Sequence, residues 1–498
     1  MHRSIGRALF GSMVGLFAST AAQAICHVTT IGNSANPGLD WTAPMDLQTA
    51  LATPACIEVW VASGVYKPTT GTDRGISFLI RSGVAVYGGF AGTESAREQR
   101  NWVANPTILS GDIDNNDTTD ANGILVNTDG IVGNNAYHVV YLSGAAAAVL
   151  ASTVLDGFTI TGGDAHSTAP PDGGGLYCNA FSSGRICSPT LSHLVFSGNL
   201  ATRGGAVMLM ADSAGTSNPA MSHIRFTGNR ASSGGAMFVY GRGGESSPTL
   251  DFVTFDNNSA DADAGALWVI ANSTFTMRNG TFSGNTSHYN GGAVKSDGSE
   301  GYANLRFSNV TFHGNLASLG NGGAVYAYDS SSSNPGTSDL LFENVTFTAN
   351  DAYYEGKVMY SIHGPGLVQA FRNVIFWDNS DDPLTPEWRL LNLSGAWTVD
   401  HSIFQTSCAT CTNTVTADPM LAPLGNYGGS VQTRLPLAGS PAIDSGDNGV
   451  CADIGVNGID ARGVSRPQGP ACDLGAVEFS SGDVIETPIF VDGFDPRP

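Results

Sequence analysis

The sequence predicts an all-β chain wound as a right-handed, single-stranded parallel β-helix (a solenoid) with a cap at each end, and three observations predict it. A Phe-x-x-Asn element at Phe196 returns at Phe226, Phe255, Phe282, Phe312, Phe347 and Phe376, a period of about 30 residues that marks a stacked repeat. A Gly-Gly-Ala element follows it at Gly204, Gly234, Gly291 and Gly322, with Ala264-Gly265-Ala266 as a variant and Gly173-Gly174-Gly175 as an early copy. Like residues also fall into columns, which is what parallel stacking of short strands requires. The hand follows from the bias of parallel crossovers.

Each column has a reason. Five residues before each Phe stand Leu191, Met221, Leu250, Met277, Phe307, Phe342 and Phe371. Two before it stand Leu194, Ile224, Val253, Gly280, Val310, Val345 and Val374. A spacing of three between apolar columns is neither a strand's two nor a helical run, so a bend must lie between them. The bend position reads Asn279, Asn309, Asn344 and Asn373 in later repeats and His193, His223 and Phe252 in earlier ones. Asn tolerates left-handed backbone and can bond its own kind in a ladder. Asn199, Asn229, Asn258, Asn285, Asn315, Asn350 and Asn379 form a second such column.

In chain order, residues 1–24 read as a secretory signal peptide. Arg3 and Arg7 precede an apolar run, and Ala22-Gln23-Ala24 is a small-x-small cleavage site. Residues 25–85 are expected to be an N-terminal cap, with a strand at Ile57–Val61. The repeats occupy 86–400, C-terminal coils and a cap 401–480, and a tail 481–498. Export leaves eight cysteines in an oxidising compartment, which favours disulfides. Neighbour pairing is expected, above all Cys178 with Cys187 and Cys451 with Cys472, and Cys408 with Cys411 as a small loop. A net charge of −21 and only three lysines argue against nucleic acid as partner. The mature chain is expected to have no transmembrane span.

The loop Asp112-Ile113-Asp114-Asn115-Asn116-Asp117 has oxygen ligands at alternate positions, as calcium would want, with Asp112, Asp114, Asn116 and Asp117 as candidate ligands. It lacks the Gly and the bidentate Glu of an EF-hand, and a solvated turn is the competing reading. No cofactor is otherwise required. Uneven Ser/Gly-rich inserts, such as 211–219, 241–248 and 329–338, should form loops along one edge.

The paired Phe-x-x-Asn and Gly-Gly-Ala elements resemble the repeats of the polymorphic outer membrane protein family, which implies a β-helix passenger of adhesin type at a bacterial surface. The section from Ser440 to Glu478, with Asp460-Ala461-Arg462-Gly463 and Asp473-Leu474-Gly475-Ala476-Val477-Glu478, is similar to the C-terminal region of choice-of-anchor β-helix proteins. Autotransporter members of the first family end in a membrane barrel. Nothing after Phe479 matches one, so another route of export and attachment is expected.

Two functions compete. One is a secreted or surface-attached, non-catalytic binding protein that recognises an extracellular glycan or a cell-surface protein. The other is a β-helix polysaccharide lyase or glycoside hydrolase, which needs a strong base beside acidic groups or paired carboxylates. Asp251, Asp256, Asp261 and Asp263, with Lys295, Asp297 and Glu300, are the acidic and basic candidates. His193 and His223 share the bend column and read as ladder substitutes for Asn. Past the Gly pair, Val207, Met237, Leu267, Val294, Val325 and Val358 are expected to point inward. The next position, Met208, Phe238, Trp268, Lys295, Tyr326 and Met359, should then point out. On that parity Phe238, Tyr240, Trp268, Tyr326 and Tyr328 form an exposed aromatic binding face.

Overall fold

The structure, a computed structural model, describes residues 24–483 except 167–171, 330–337, 364–366, 380–390 and 406. The expected signal peptide, apart from Ala24, and nearly all of the expected tail lie outside the described residues.

Among the described residues, three all-parallel sheets of sixteen, ten and seven strands run along the molecule. Each regular coil contributes to all three in turn. In one coil Thr190–Ser197 joins the long sheet, Leu200–Arg203 the seven-stranded sheet and Val207–Met210 the ten-stranded sheet. The register advances one coil per rung, pairing Phe196 with Phe226, Ala201 with Ala231 and Val207 with Met237.

The expected Phe column is present and fully buried. Successive rings from Phe196 to Phe376 stack with centroids 5.1, 4.6, 4.6, 4.8, 4.9 and 5.5 Å apart. Phe404 continues it at 4.7 Å. Parallel strands spaced about 4.8 Å apart impose this separation, so the repeat sets ring stacking directly.

Both Asn columns behave as read. At the bend, φ is +51° at Asn279, +56° at Asn309, +51° at Asn344 and +56° at Asn373, and the earlier His193, His223 and Phe252 adopt +50°, +53° and +54°. Left-handed backbone is least costly for Asn and Gly. The other column is a buried carboxamide ladder. Asn258 Nδ2 donates to Asn285 Oδ1 at 3.0 Å and to Phe226 O at 2.9 Å, while its backbone N–H donates to Asn285 Oδ1 at 3.1 Å. The same three bonds recur at Asn285 and Asn315. At the second position of the glycine turn, a Cβ on Gly235 would collide with the carbonyl of Gly265 in the next coil, so closely do these turns stack.

The two ends differ from expectation. Residues 25–85 do more than cover an edge: Ala24–Val28 and Cys56–Ala62 are themselves rungs of the long sheet, and the short helix Leu47–Ala52 packs beside them. At the other end, Ala396–Phe404 and Thr412–Val415 extend the long sheet. The chain then doubles back instead of capping the last coil. Residues 416–483 lie along the outer side of the long sheet as a strap reaching back to Phe252. Thr311 Oγ1 meets Thr433 Oγ1 at 2.9 Å, Asn309 Nδ2 donates to Ile459 O at 2.9 Å, and Ala476 N donates to Thr346 Oγ1 at 3.0 Å. Ile375 and Ile403, outward on the same face, pack against Ala442 and Leu474 of the strap. The strap therefore buries polar and apolar outward positions over several coils.

All four neighbour disulfides are present, Cys26–Cys56, Cys178–Cys187, Cys408–Cys411 and Cys451–Cys472, with no free cysteine among the described residues. Cys451–Cys472 closes a loop within the strap. Among the described residues no helix is long and apolar enough to cross a membrane.

Candidate functional site

The ten-stranded sheet carries the expected outward stripe on a register longer than the sequence suggested. Tyr141, Tyr177, Met208, Phe238, Trp268, Lys295, Tyr326 and Tyr360 occupy one row. Tyr360, not Met359, is opposite Tyr326. Lys357 takes the second Gly place of that coil, so Met359 pairs with Val325 and points in. Reading Val358 as the strand position was off by one residue.

The side chains of this row leave the main core, and Tyr177, Met208, Met210, Phe238 and Tyr240 form a separate cluster with Tyr141, Trp268 and Ile270 against it. The expected openness of that face needs correction. Phe238 is 4 %, Tyr240 9 % and Tyr326 8 % exposed, and Trp268 and Tyr328 are half-buried. Neighbouring rings cover one another, as with Phe238 and Trp268 at 5.3 Å and Tyr326 and Tyr360 at 5.7 Å. The glycine turns also fold against the row, close enough that a Cβ on Gly173 would meet Met208 and one on Gly234 would meet Phe238. Cations complete the cover. Arg203 lies over Phe238 and Tyr240 at 5.6 and 5.8 Å, and Lys295 Nζ sits 4.0 Å from the centre of the Trp268 ring. The face is a packed aromatic and cationic ladder.

Each acidic candidate is tied to a base. Arg225 grips Asp256 with Nε and Nη2 at 2.8 and 3.0 Å, and Thr227 Oγ1 adds a bond at 2.8 Å. Arg278 pairs with Asp251, Arg230 with Asp261 and Arg242 with Glu300. Lys295 lies between Asp263 at 3.0 Å and Asp297 at 3.6 Å. A carboxylate so paired is oriented toward its cation and not toward a substrate. His193 and His223 stack at 5.1 Å and lead on to Phe252 at 5.1 Å. His193 Nδ1 lies 3.2 Å from Asp156 Oδ2. Burial, helped by His193, pushes the His223 pKa down, consistent with a stacked neutral ring.

The acidic loop does not gather its carboxylates around a cation position. Lys67 Nζ bonds Asp112 Oδ2 at 3.1 Å and Asn115 Oδ1 at 2.6 Å. Asp112 Oδ1 accepts the Asn116 amide at 3.2 Å, Asp114 accepts the Asn134 amide at 2.9 Å, and Asp117 accepts the Val132 amide and Asn135 Nδ2, both at 2.7 Å. Burial, with Asp112 and Asp114 adding to it, raises the Asp117 pKa. The lysine and the amides supply the positive partners that a calcium ion would have supplied. No grouping of three or more acidic, His or Cys side chains able to hold a metal occurs among the described residues.

Sequence reasoning passed over one exposed aromatic group. Tyr289, Leu319, Tyr353 and Tyr354 stand out into solvent at the corner between the seven-stranded and ten-stranded sheets. Their turns vary in sequence from coil to coil, so no column signalled them.

Residues 279–297 and 309–328 match the family profile described as the Chlamydia polymorphic membrane protein (Chlamydia_PMP) repeat. Among curated proteins, the chain is 34% identical over 104 residues to the "Probable autotransporter YfaL" of Escherichia coli (strain K12). That alignment covers 20% of this chain, which spans only 8% of the length of that relative. Among solved structures, the crystal structure of pectate lyase Pel9A aligns over 92% of this chain and 97% of that one, at 14% identity and a TM-score of 0.39. So loose a likeness carries no argument. The repeats and the coils they build make the chain a polymorphic membrane protein-like parallel β-helix protein.

Proposed function

We propose that this chain is an adhesin-like binding protein displayed at a bacterial outer surface, where it recognises an extracellular glycan or a cell-surface protein through the outside of its coils and catalyses no reaction on it. The observation that carries this reading is the pair of consecutive coils whose sequence matches the polymorphic membrane protein repeat, supported by the autotransporter likeness. The geometry supports it from a second side. The acidic residues that a lyase or hydrolase would draw on are consumed in ion pairs that knit adjacent coils, such as Arg225 with Asp256 and Lys295 with Asp263. A solenoid of this kind offers a long rigid exterior whose turns can vary without disturbing the core.

The test has two parts. Mild protease treatment of intact producing cells should remove the protein. The purified labelled chain should bind saturably to target cells or to a glycan array. Protection from protease on intact cells, or binding that never saturates, would overturn the reading.

A further inference from the structure

The exposed aromatic corner has properties that the packed stripe lacks. Tyr289 is 49 %, Leu319 45 %, Tyr353 62 % and Tyr354 59 % exposed, on three successive coils. Large apolar side chains this open are unusual when they are contiguous. Here the backbone that carries them is also held in place. The amide of Tyr289 donates to Ala262 O at 2.8 Å, that of Leu319 to His288 O at 2.8 Å and that of Tyr354 to Gly320 O at 3.0 Å. Beside them runs another side-chain ladder, in which Asn290 N donates to Asp263 Oδ1, Asn321 N to Asn290 Oδ1 and Glu355 N to Asn321 Oδ1, at 2.8, 3.1 and 3.1 Å. A backbone fixed before a ligand arrives leaves less to be ordered on binding it.

The rings are set edge to face. His288 and Tyr289 lie 4.6 Å apart at 71°, and Tyr353 and Tyr354 lie 4.7 Å apart at 86°. Within each pair the edge of one ring packs on the face of the other, and about half or more of each tyrosine remains exposed. With coils about 4.8 Å apart and Leu319 on the coil between them, the two aromatic pairs lie about 9.6 Å apart, a spacing comparable with two pyranose units.

We infer that this corner, built on Tyr289, Leu319, Tyr353 and Tyr354, is a binding site for an uncharged saccharide chain, stacked by its C–H faces on the tyrosine rings and held by hydroxyl bonds at their edges. The inference rests on the binding-protein reading and names its ligand class. Charge excludes a polyanion: the chain carries −21 overall, Glu355 stands in the turn, and Lys357, at its end, is held by Asp351 at 2.7 Å. Size argues against a protein partner. Four side chains about half exposed offer roughly 400 Å² between them, against about 800 Å² per partner in a standard protein interface.

Affinity electrophoresis of the purified chain through gels containing laminarin, galactomannan or xyloglucan, and separately polygalacturonate or heparin, tests this. At least one uncharged polymer should retard the chain. The variant carrying Tyr289→Ala, Tyr353→Ala and Tyr354→Ala should lose about tenfold in affinity or more, and Trp268→Ala should keep wild-type retardation. Far-UV circular dichroism and thermal melting confirm folding, and Tyr353→Ala alone serves if the triple variant melts early. Retardation by none of the uncharged polymers, or only by the acidic ones, overturns the inference. Retardation that survives the tyrosine changes also overturns it but leaves the binding-protein reading standing. Release of reducing ends from the retarding polymer would instead overturn that reading.

Discussion

Replacing Asn285 by Ala should unfasten the buried carboxamide ladder at its middle. Asn285 Oδ1 accepts the Asn258 backbone amide at 3.1 Å and Asn258 Nδ2 at 3.0 Å, and Asn285 Nδ2 donates to Phe255 O and Asn315 Oδ1, both at 2.9 Å. Truncation removes all four. Asn258 Nδ2 keeps Phe226 O, and Asn315 Oδ1 keeps the Asn285 amide. The Asn258 backbone N–H is left buried with no acceptor, since Asn258 is 1 % exposed. An orphaned buried amide costs about 1–3 kcal/mol and each lost neutral bond about 0.5–1.5 kcal/mol, so the variant should lose about 3–5 kcal/mol locally. Urea unfolding followed by circular dichroism reads the total, and native-state hydrogen exchange at the Asn258 amide reads the site, where exchange should quicken about a hundredfold or more. Asn285→Leu separates bonding from volume, because it fills the space and bonds nothing. A Leu variant with the wild-type urea midpoint and unchanged Asn258 exchange would refute the ladder's role.

Three further outcomes follow from individual residues. Ala264 holds the first glycine place at φ +63°, so Ala264→Gly should raise stability by about 0.5–1 kcal/mol; a lower melting temperature would contradict it. Burial in the strap raises the Asp473 carboxyl to about 6 from a model-compound 3.8. The folded strap thus binds a proton the unfolded chain has released, and Asp473's contribution falls as pH rises from about 4 to 6, then levels. Melting curves across that range should show a slope that Asp473→Asn flattens, whereas an unchanged slope would reject the assignment. Mass spectrometry of non-reduced peptides should recover Cys451 and Cys472 joined, and an alkylated free thiol at either position would contradict the strap's covalent loop.

Legibility of the chain from sequence followed the physical origin of each feature. Phe282 and its column were legible because stacked coils place like over like, and Asn279 marked the bend because few residues tolerate that backbone. The strap was not legible. Thr281, Thr311 and Thr346 are outward by parity yet buried, and only the returning chain between Gln432 and Ala476 explains why. Parity likewise placed Phe238 and Trp268 outside the core but carried no information on the turns and cations that cover them. One substitution, Lys357 for the second glycine, was enough to shift the outward residue from Met359 to Tyr360. Tyr353 and Tyr354 lie in a turn with no repeating sequence, where coil-to-coil hydrogen bonds fix the backbone without constraining the side chains.

The most direct test of a binding protein that does no chemistry uses one purified chain and one set of polysaccharides in two assays run side by side, retention of the protein and release of new reducing ends or unsaturated products. Retention without release is the predicted result. Release that disappears in Lys295→Ala or Asp256→Ala variants would contradict it and make the coils an enzyme.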